Sequence, residues 1–341
     1  MCAENGRSRS RDLAERFGVT YSERFVRILE IILKPEEMAL LLATPAKTTE
    51  IARAVGRDGR EVARALHDLY MRGLVFVSGY VEGEPTWDLI DTGRFMDSVL
   101  FDPRYDRYGD EFFDLWRAFF NEEFVPHDPP NRALRVLPIE EVIRATRILD
   151  VESAGALVRG ARRVVVQRCP CRVRERRCDA PLEVCISLDG LADYVVSRDL
   201  GREVARDEAL GILERCEDLG LVHQTINTDH PDVICNCCPC CCSLLRSIVV
   251  HGVKAAAAAS RFRPAVDEDL CADCLTCTSV CHFAAMVDDG GQRAFVAERC
   301  YGCGLCARAC PREAIGLVEA HPPEHIPAGP GFNLSQLPPG P

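Results

Sequence analysis

The sequence predicts a multidomain α+β chain, and three observations predict it. Short amphipathic helices followed by a strand–turn–strand pattern occupy the N-terminal third. A valine-rich strand and two bunches of cysteines mark a mixed middle segment. A cysteine run that occurs twice, about 29 residues apart, marks a small unit near the C-terminus. The 341 residues suffice for two or three domains, and with 47% apolar residues each can bury a core. The expected segments are a flexible N-terminus over 1–20, a helix-and-hairpin domain over 21–95, an aromatic helical connector over 96–135, a cysteine-rich middle domain over 136–260, the doubled-cysteine unit over 261–318 and a disordered Pro/Gly tail over 319–341.

Residues 1–20 are polar and read as frayed. From Ser22, the residues Phe25, Val26, Ile28, Leu29, Ile32 and Leu33 make a stripe at helical spacing. Pro35 suits the first turn of a second helix through Met38 to Leu42. Thr48 or Thr49 caps a third, Glu50 to Val55, which stops at Gly56; Asp58 caps a fourth, Gly59 to Arg72, which stops at Gly73. Leu74 to Val81 reads as a strand, with a turn at Glu82-Gly83-Glu84-Pro85 and a return strand near Trp87 to Ile90. Further on, Phe112, Phe113, Trp116, Phe119, Phe120 and Phe124 read as a packed aromatic helix, and His127-Asp128-Pro129-Pro130 as a linker. Ile139 to Ile148 reads as a helix, Ala161 to Arg168 as a buried strand, and Glu203 to Leu219 and Ser243 to Ala259 as helices. The end of the chain, rich in Pro and Gly, reads as a tail that buries little.

Helices followed by a hairpin over residues 22–92 resemble a winged helix-turn-helix, which implies DNA binding. Arg60, Arg64 and Arg72 on the fourth helix suit phosphates, but Asp58, Glu61 and Asp68 share it. Residues 1–100 carry 14 basic and 16 acidic side chains, and the whole chain has a formal net charge of −11. Non-specific affinity for DNA comes from excess positive charge, so a packing or docking role is favoured over a DNA contact. So acidic a chain is expected to meet basic patches on its partners.

The chain has 20 cysteines, and 19 of them follow position 168. The start of the chain has no apolar signal region, and no apolar run reaches the roughly 18 residues that span a bilayer. The expectation is therefore a reduced, cytoplasmic, metal-binding chain rather than a disulfide scaffold. Cys271, Cys274, Cys277 and Cys281 follow the spacing C-x2-C-x2-C-x3-C, and Cys300, Cys303, Cys306 and Cys310 repeat it before Pro311. Structural zinc sites pair two C-x2-C elements across a longer loop, and four cysteines within eleven residues, twice, do not fit that pattern.

Over residues 262–318 the sequence resembles the bacterial dicluster ferredoxins. The resemblance implies two [4Fe–4S] clusters: one on Cys271, Cys274, Cys277 and Cys310, the other on Cys300, Cys303, Cys306 and Cys281, because the fourth cysteine of each run ligates the opposite cluster. His282 stands where the family usually has Pro, a change that removes no ligand. Gly302 and Gly304 let the backbone wrap closely around a cluster.

The middle segment carries ten more cysteines in two bunches: Cys169, Cys171, Cys178 and Cys185, then Cys235, Cys237, Cys238, Cys240, Cys241 and Cys242. The favoured expectation is one or two further Fe–S clusters bridging the bunches, with a zinc site or an exchanging dithiol pair as rivals. Adjacent cysteines such as Cys237 and Cys238 point in different directions and should serve different centres. The helix beginning near Ser243 offers its N-terminus to an anionic group. Arg168, Arg172, Arg174, Arg176 and Arg177 either compensate thiolates or form a solvated docking patch. Cys216 reads as a core residue, and Cys2 carries no assignment. The arrangement resembles Fe–S proteins of anaerobes, which adds no substrate.

No dinucleotide fingerprint, P-loop or nucleophile–base set appears, and His223, His230, His251 and His282 are scattered. The favoured function is electron transfer to or from a partner oxidoreductase. The alternatives are a redox-sensing regulator that uses the winged helix, or a subunit whose middle cluster binds substrate.

Overall fold

The structure, a computed structural model, describes residues 2–127, 129–144 and 148–331. Local chemistry sets the first elements. Ser22 accepts a hydrogen bond from Phe25 N and opens α2 (Glu23–Ile32), which follows α1 (Cys2–Arg16). Pro35 starts α3 (Pro35–Leu42). The short β1 (Ala46–Lys47) leads into α4 (Thr48–Val55), closed by Gly56 at φ +68°. Asp58 caps α5 (Gly59–Met71) through Arg60 N and Glu61 N. Next come β2 (Phe76–Val81) and β3 (Glu84–Asp88), joined by Glu82 and Gly83, both at positive φ as a two-residue hairpin turn requires. These strands form a sheet of order β1-β3-β2.

After α6 (Thr92–Leu100), the aromatic segment forms α7 (Gly109–Ala118), a π-helical turn over Phe119–Phe124 and the short α8 (Val125–His127). Phe112, Phe113, Trp116, Phe119 and Phe120 are buried. They belong to one apolar core that also takes in Val165, Val173, Leu191, Tyr194, Val195 and Val233 from the middle of the chain. Tyr194 stacks on Phe76 and meets Tyr70 edge-on at 5.9 Å. A Cβ on Gly73, at φ +73°, would collide with the Arg198 guanidinium.

The middle of the chain builds a seven-stranded sheet of order β10-β4-β8-β9-β6-β5-β7. Its elements in sequence are β4 (Leu134–Val136), α9 (Ala154–Gly160), β5 (Val164–Arg168), α10 (Pro170–Glu175), β6 (Glu183–Leu188), α11 (Asp189–Ser197), β7 (Gly201–Glu203), α12 (Arg206–Asp218), β8 (Val222–Ile226), β9 (Val233–Cys237), α13 (Ser243–Val249) and β10 (Ala257–Ala258). All pairings in this sheet are antiparallel except β10 with β4.

The C-terminal unit contains β11 (Phe262–Val266), α14 (Thr276–Ser279), β12 (Met286–Asp289), β13 (Gln292–Phe295), α15 (Leu305–Arg308) and β14 (Ile315–Glu319). β11 pairs with β14 and β12 with β13, so the two halves of the repeat are interleaved. The repeat reaches the backbone: left-handed residues recur at matched positions, Asp273 with Gly302, Leu275 with Gly304 and Ala284 with Glu313.

Several sequence expectations are corrected. The expected frayed start is instead a helix over Cys2–Arg16: α1 buries Leu13 and Ala14, while Arg16 donates to Leu42 O and Thr44 O. Its dense charges conceal the apolar stripe. Ile139 to Ile148 is not a helix, because its backbone is spent on the C-terminal unit: Ile139 N donates to Cys303 O, Arg144 N donates to Leu317 O, and Ile143 bridges Leu317. Part of that stretch, 145–147, lies outside the described residues. The helix from Ser243 stops at Val249, and the alanine run enters β10 after Gly252 turns the chain at φ +70°. The tail is placed as far as residue 331, where Gly329 N donates to Asp229 Oδ1 and Asp229 N to Pro327 O; residues 332–341 lie outside the described residues.

Arg261 joins the middle sheet to the C-terminal unit. It is buried, takes both carboxylate oxygens of buried Glu152 at 2.7 and 2.8 Å, and also reaches Glu319 at 2.7 Å. Removing one partner of a buried pair leaves an uncompensated charge. Glu152→Ala is expected to destabilise the chain by about 3 kcal/mol, read as a lower denaturant midpoint, whereas Glu324→Ala at the exposed surface should leave the midpoint in place.

Candidate metal centres

The doubled cysteine run lines two separate cavities. Cys271, Cys274, Cys277 and Cys310 line one, with Arg293, Pro311 and Ile315. Cys281, Cys300, Cys303 and Cys306 line the other, with Phe283, Met286, Tyr301 and Leu305. The strand pairing explains the exchange: β14 returns beside β11 and brings Cys310 to the first loop, while β12 beside β13 brings Cys281 to the second. Backbone N–H groups point at sulfur, Ala285 N to Cys281 Sγ at 3.2 Å and Gly302 N to Cys300 Sγ at 3.3 Å. Burial pushes the Cys303 thiol up to about 12, so a metal must displace its proton. All-sulfur donors, backbone N–H groups aimed at them and an apolar wall fit an iron–sulfur core.

His282, in place of the usual proline, is an anchor: its Nε2 donates to Gly220 O at 2.7 Å, at the end of α12. Arg308 adds ion pairs to Glu217 at 3.1 Å and Asp218 at 2.7 Å in the same region. The second cavity therefore faces the middle sheet. Its Phe283, Tyr301, Leu305, Cys281 and Cys303 share an apolar cluster with Val136, Val222, Leu244, Cys235, Cys237 and Cys242.

The ten middle cysteines divide into two groups. Six of them form a closed ring of neighbouring thiols: Cys169, Cys171, Cys242, Cys237, Cys235, Cys185 and back to Cys169. Cys169 follows the end of β5 and Cys171 lies in the first turn of α10; Cys185 lies on β6, opposite Cys235 on β9. Cys235 and Cys237, two apart on a strand, share one face. Cys242 precedes α13, and Ser243 N donates to Cys171 Sγ at 3.4 Å. The ring opens on a cavity of about 760 Å³ that α6, the π-helical turn and Pro129–Asn131 close from the other side. Cys171 and Cys185 lie well below the usual thiol range, each lowered chiefly by Cys169 between them, and the same two neighbours push Cys169 well above it.

The other four, Cys178, Cys238, Cys240 and Cys241, gather on the opposite side of the same turn, all within 4.8 Å of one another. Neighbours in sequence thus part company, Cys237 to the ring and Cys238 to the foursome. This division was readable in part: the alternation of Cys235 and Cys237 marks one face, whereas nothing local assigns Cys178. Cys216 is buried in the apolar cluster that also holds Leu213, Leu221, Cys169, Cys185, Cys238 and Cys241, but it belongs to neither thiol group. The side chain of Cys2 lies outside the described residues.

The arginine run is divided, with Arg176 and Arg177 exposed and two of its members inside the protein. Arg172 and Arg174 are buried. Arg172 donates to Pro181 O at 2.9 Å and Asn236 O at 2.7 Å, and its charge faces Cys169, Cys238 and Cys237. Arg174 lies over the Phe120 ring at 3.6 Å, pairs with buried Glu175 and donates to Ser243 Oγ. Arg168, Arg176 and Arg177 pair with Asp106, Asp110 and Glu175.

The site defines the class: residues 270–315 match the 4Fe-4S dicluster domain family, and the chain carries a ferredoxin-type iron–sulfur module there. Its relatives in that region include the pyruvate synthase subunit PorD of Thermotoga maritima, 41% identical over 56 residues, which are 16% of this chain and 57% of that protein. The delta subunit of the NADH-dependent phenylglyoxylate dehydrogenase of Aromatoleum evansii is 36% identical over 50 residues, 15% of this chain and 54% of the relative. A ferredoxin of Pyrobaculum islandicum is 30% identical over 63 residues, 18% and 59% of the two chains. The chain thus spans little more than half the length of the relatives it matches. No solved structure matches the chain. Among the described residues no helix is long and apolar enough to cross a membrane.

Gly302 sits at φ +67°, and a Cβ there would collide with Phe262 O and Ser260 Oγ. Gly302→Ala is expected to lose about four irons per chain, one cubane, measured as iron and acid-labile sulfide in anaerobically purified protein, while Gly290→Ala at an open turn should lose none.

Proposed function

We propose that the chain carries electrons between two [4Fe–4S] clusters in its C-terminal module and a third, polynuclear iron–sulfur cluster in the six-thiol ring, on the way to or from a partner oxidoreductase. Cys271, Cys274, Cys277 and Cys310 hold one module cluster, and Cys300, Cys303, Cys306 and Cys281 hold the other. Bound iron–sulfur clusters supply the one-electron chemistry. The chain supplies thiolate ligands, N–H groups aimed at sulfur and buried guanidinium charge. The observation that carries this reading is the shared apolar cluster: Cys281 and Cys303 of the second cavity belong to the same cluster as Cys235, Cys237 and Cys242 of the ring, together with Leu305, Tyr301 and Val222. An apolar connection of this kind suits electron exchange between the two thiol groups. Two of the three relatives named are subunits of oxidoreductases, which supports a protein partner.

The test is elemental and spectroscopic. The module accounts for about eight irons, and the ring raises the total to about twelve if it holds four. Cys235→Ser should return the total to about eight and abolish one of the reducible EPR signals while the two module signals persist. A wild-type total that stays at eight removes the ring from the path.

The helices and hairpin over residues 22–92 are proposed as a winged-helix-like docking domain rather than a DNA reader. Arg72, one of its three candidate phosphate contacts, is tied to Glu37 at 2.6 Å and to Ile32 O. Its Tyr70 and Phe76 are committed to Tyr194. Mixed-sequence duplex DNA is expected to show no retention even at low salt; salt-dependent binding would restore the regulator reading.

The large cavity favours a second reading, in which the ring cluster meets a small molecule. At about 760 Å³ it falls within the usual range for ligand sites, about 300–1,000 Å³. Asp97 lines it, its carboxyl pushed well above the usual range by burial. An EPR signal of the ring that changes on adding a candidate ligand supports this reading, and one indifferent to a broad panel of small molecules excludes it.

A further inference from the structure

The four thiols outside the ring have a geometry of their own. Cys178 Sγ lies 3.6 Å from Cys238 Sγ and 3.7 Å from Cys241 Sγ, and all four sulfurs, with Cys240, fall within 4.8 Å of one another. A tetrahedral ion with metal–sulfur bonds of about 2.3 Å places its sulfurs about 3.8 Å apart. A cubane puts each thiolate on a different iron and so spreads the sulfurs over a whole cluster. Among the described residues no three thiols of the ring, or of either ferredoxin cavity, come as close together as these four. The sulfurs are also too far apart to be a disulfide, whose S–S bond is about 2.05 Å.

We propose that Cys178, Cys238, Cys240 and Cys241 bind a single zinc ion, distinct from every iron–sulfur cluster of the chain. The argument for zinc is the closed donor set: four thiolates complete a tetrahedron and leave no position for a reactant, which is the form of a structural zinc site. Its charge is met locally. Arg172 faces Cys238, and the Arg177 backbone N–H is directed at Cys241. Its place explains its use. Cys178 lies in the irregular segment 176–182, which joins Cys171 to Cys185 of the ring; Cys238, Cys240 and Cys241 lie in the turn that joins Cys237 to Cys242 of the ring. One ion thus ties together the two connections that set the spacing of four ring ligands.

The experiment uses the full chain, purified without oxygen from medium containing both iron and zinc. Wild-type protein is expected to hold about one zinc per chain beside its iron, and absorption at the zinc edge should show four sulfur neighbours at about 2.3 Å. Cys178→Ser and Cys241→Ser should each lower zinc at least fivefold, while the EPR signals of the ferredoxin module report an intact fold. Wild-type protein rich in iron but without zinc overturns the proposal. So does zinc retained undiminished in both variants, or a zinc edge with fewer than four sulfurs.

Discussion

Crowding of potential negative charge is the constraint on which this structure depends. Past Arg168, every cysteine except Cys216 belongs to a group of four or six thiols, in a chain that is already acidic. Such groups cannot ionise together without partners. The chain provides buried guanidinium groups at Arg172 and Arg174 and backbone N–H groups from left-handed turns. What these leave uncompensated stays protonated until a metal displaces the protons, so metal affinity here is linked to pH and to the packing of this region.

That constraint also shapes the larger architecture. The seven-stranded sheet places β5, β6 and β9 side by side, so strands remote in sequence deliver Cys169, Cys185, Cys235 and Cys237 to one rim. The opposite wall of the cavity comes from α6 and the π-helical turn, elements of the N-terminal core. A π-turn widens the helix where Phe120 must reach Arg174; such turns often accompany functional sites. The N-terminal helices are therefore a wall of the thiol-lined cavity as well as a domain in their own right.

How much of this was legible depends on how local each signal is. The two ferredoxin cavities could be anticipated because three cysteines of each lie in one short loop and the 29-residue repeat points to the fourth. The caps at Ser22 and Asp58 and the Glu82-Gly83 turn are equally local. The division of the middle cysteines was legible only in the alternation of Cys235 and Cys237; the rest depends on β6 lying beside β9, a pairing between residues nearly fifty apart. The misread helices share a cause: at Ile139–Arg144 and Ala257–Ala258 tertiary pairing captured backbone groups that helical propensity alone would have kept within a helix. The buried Arg172 and Arg174 resembled a surface patch because sequence shows charge but not the carbonyls and thiols that receive it.

The crossed strands of the C-terminal module make its two halves mutually dependent. Although the segment reads as a duplication, neither copy is a self-sufficient unit: cut between Asp289 and Gln292, each half would keep a three-thiol loop and lose both the strand that closes it and its remaining sulfur. Simple deletion of either half therefore cannot leave the other intact, and variation of this fold is confined to substitution in place, such as a histidine after Cys281 that reaches the Gly220 carbonyl.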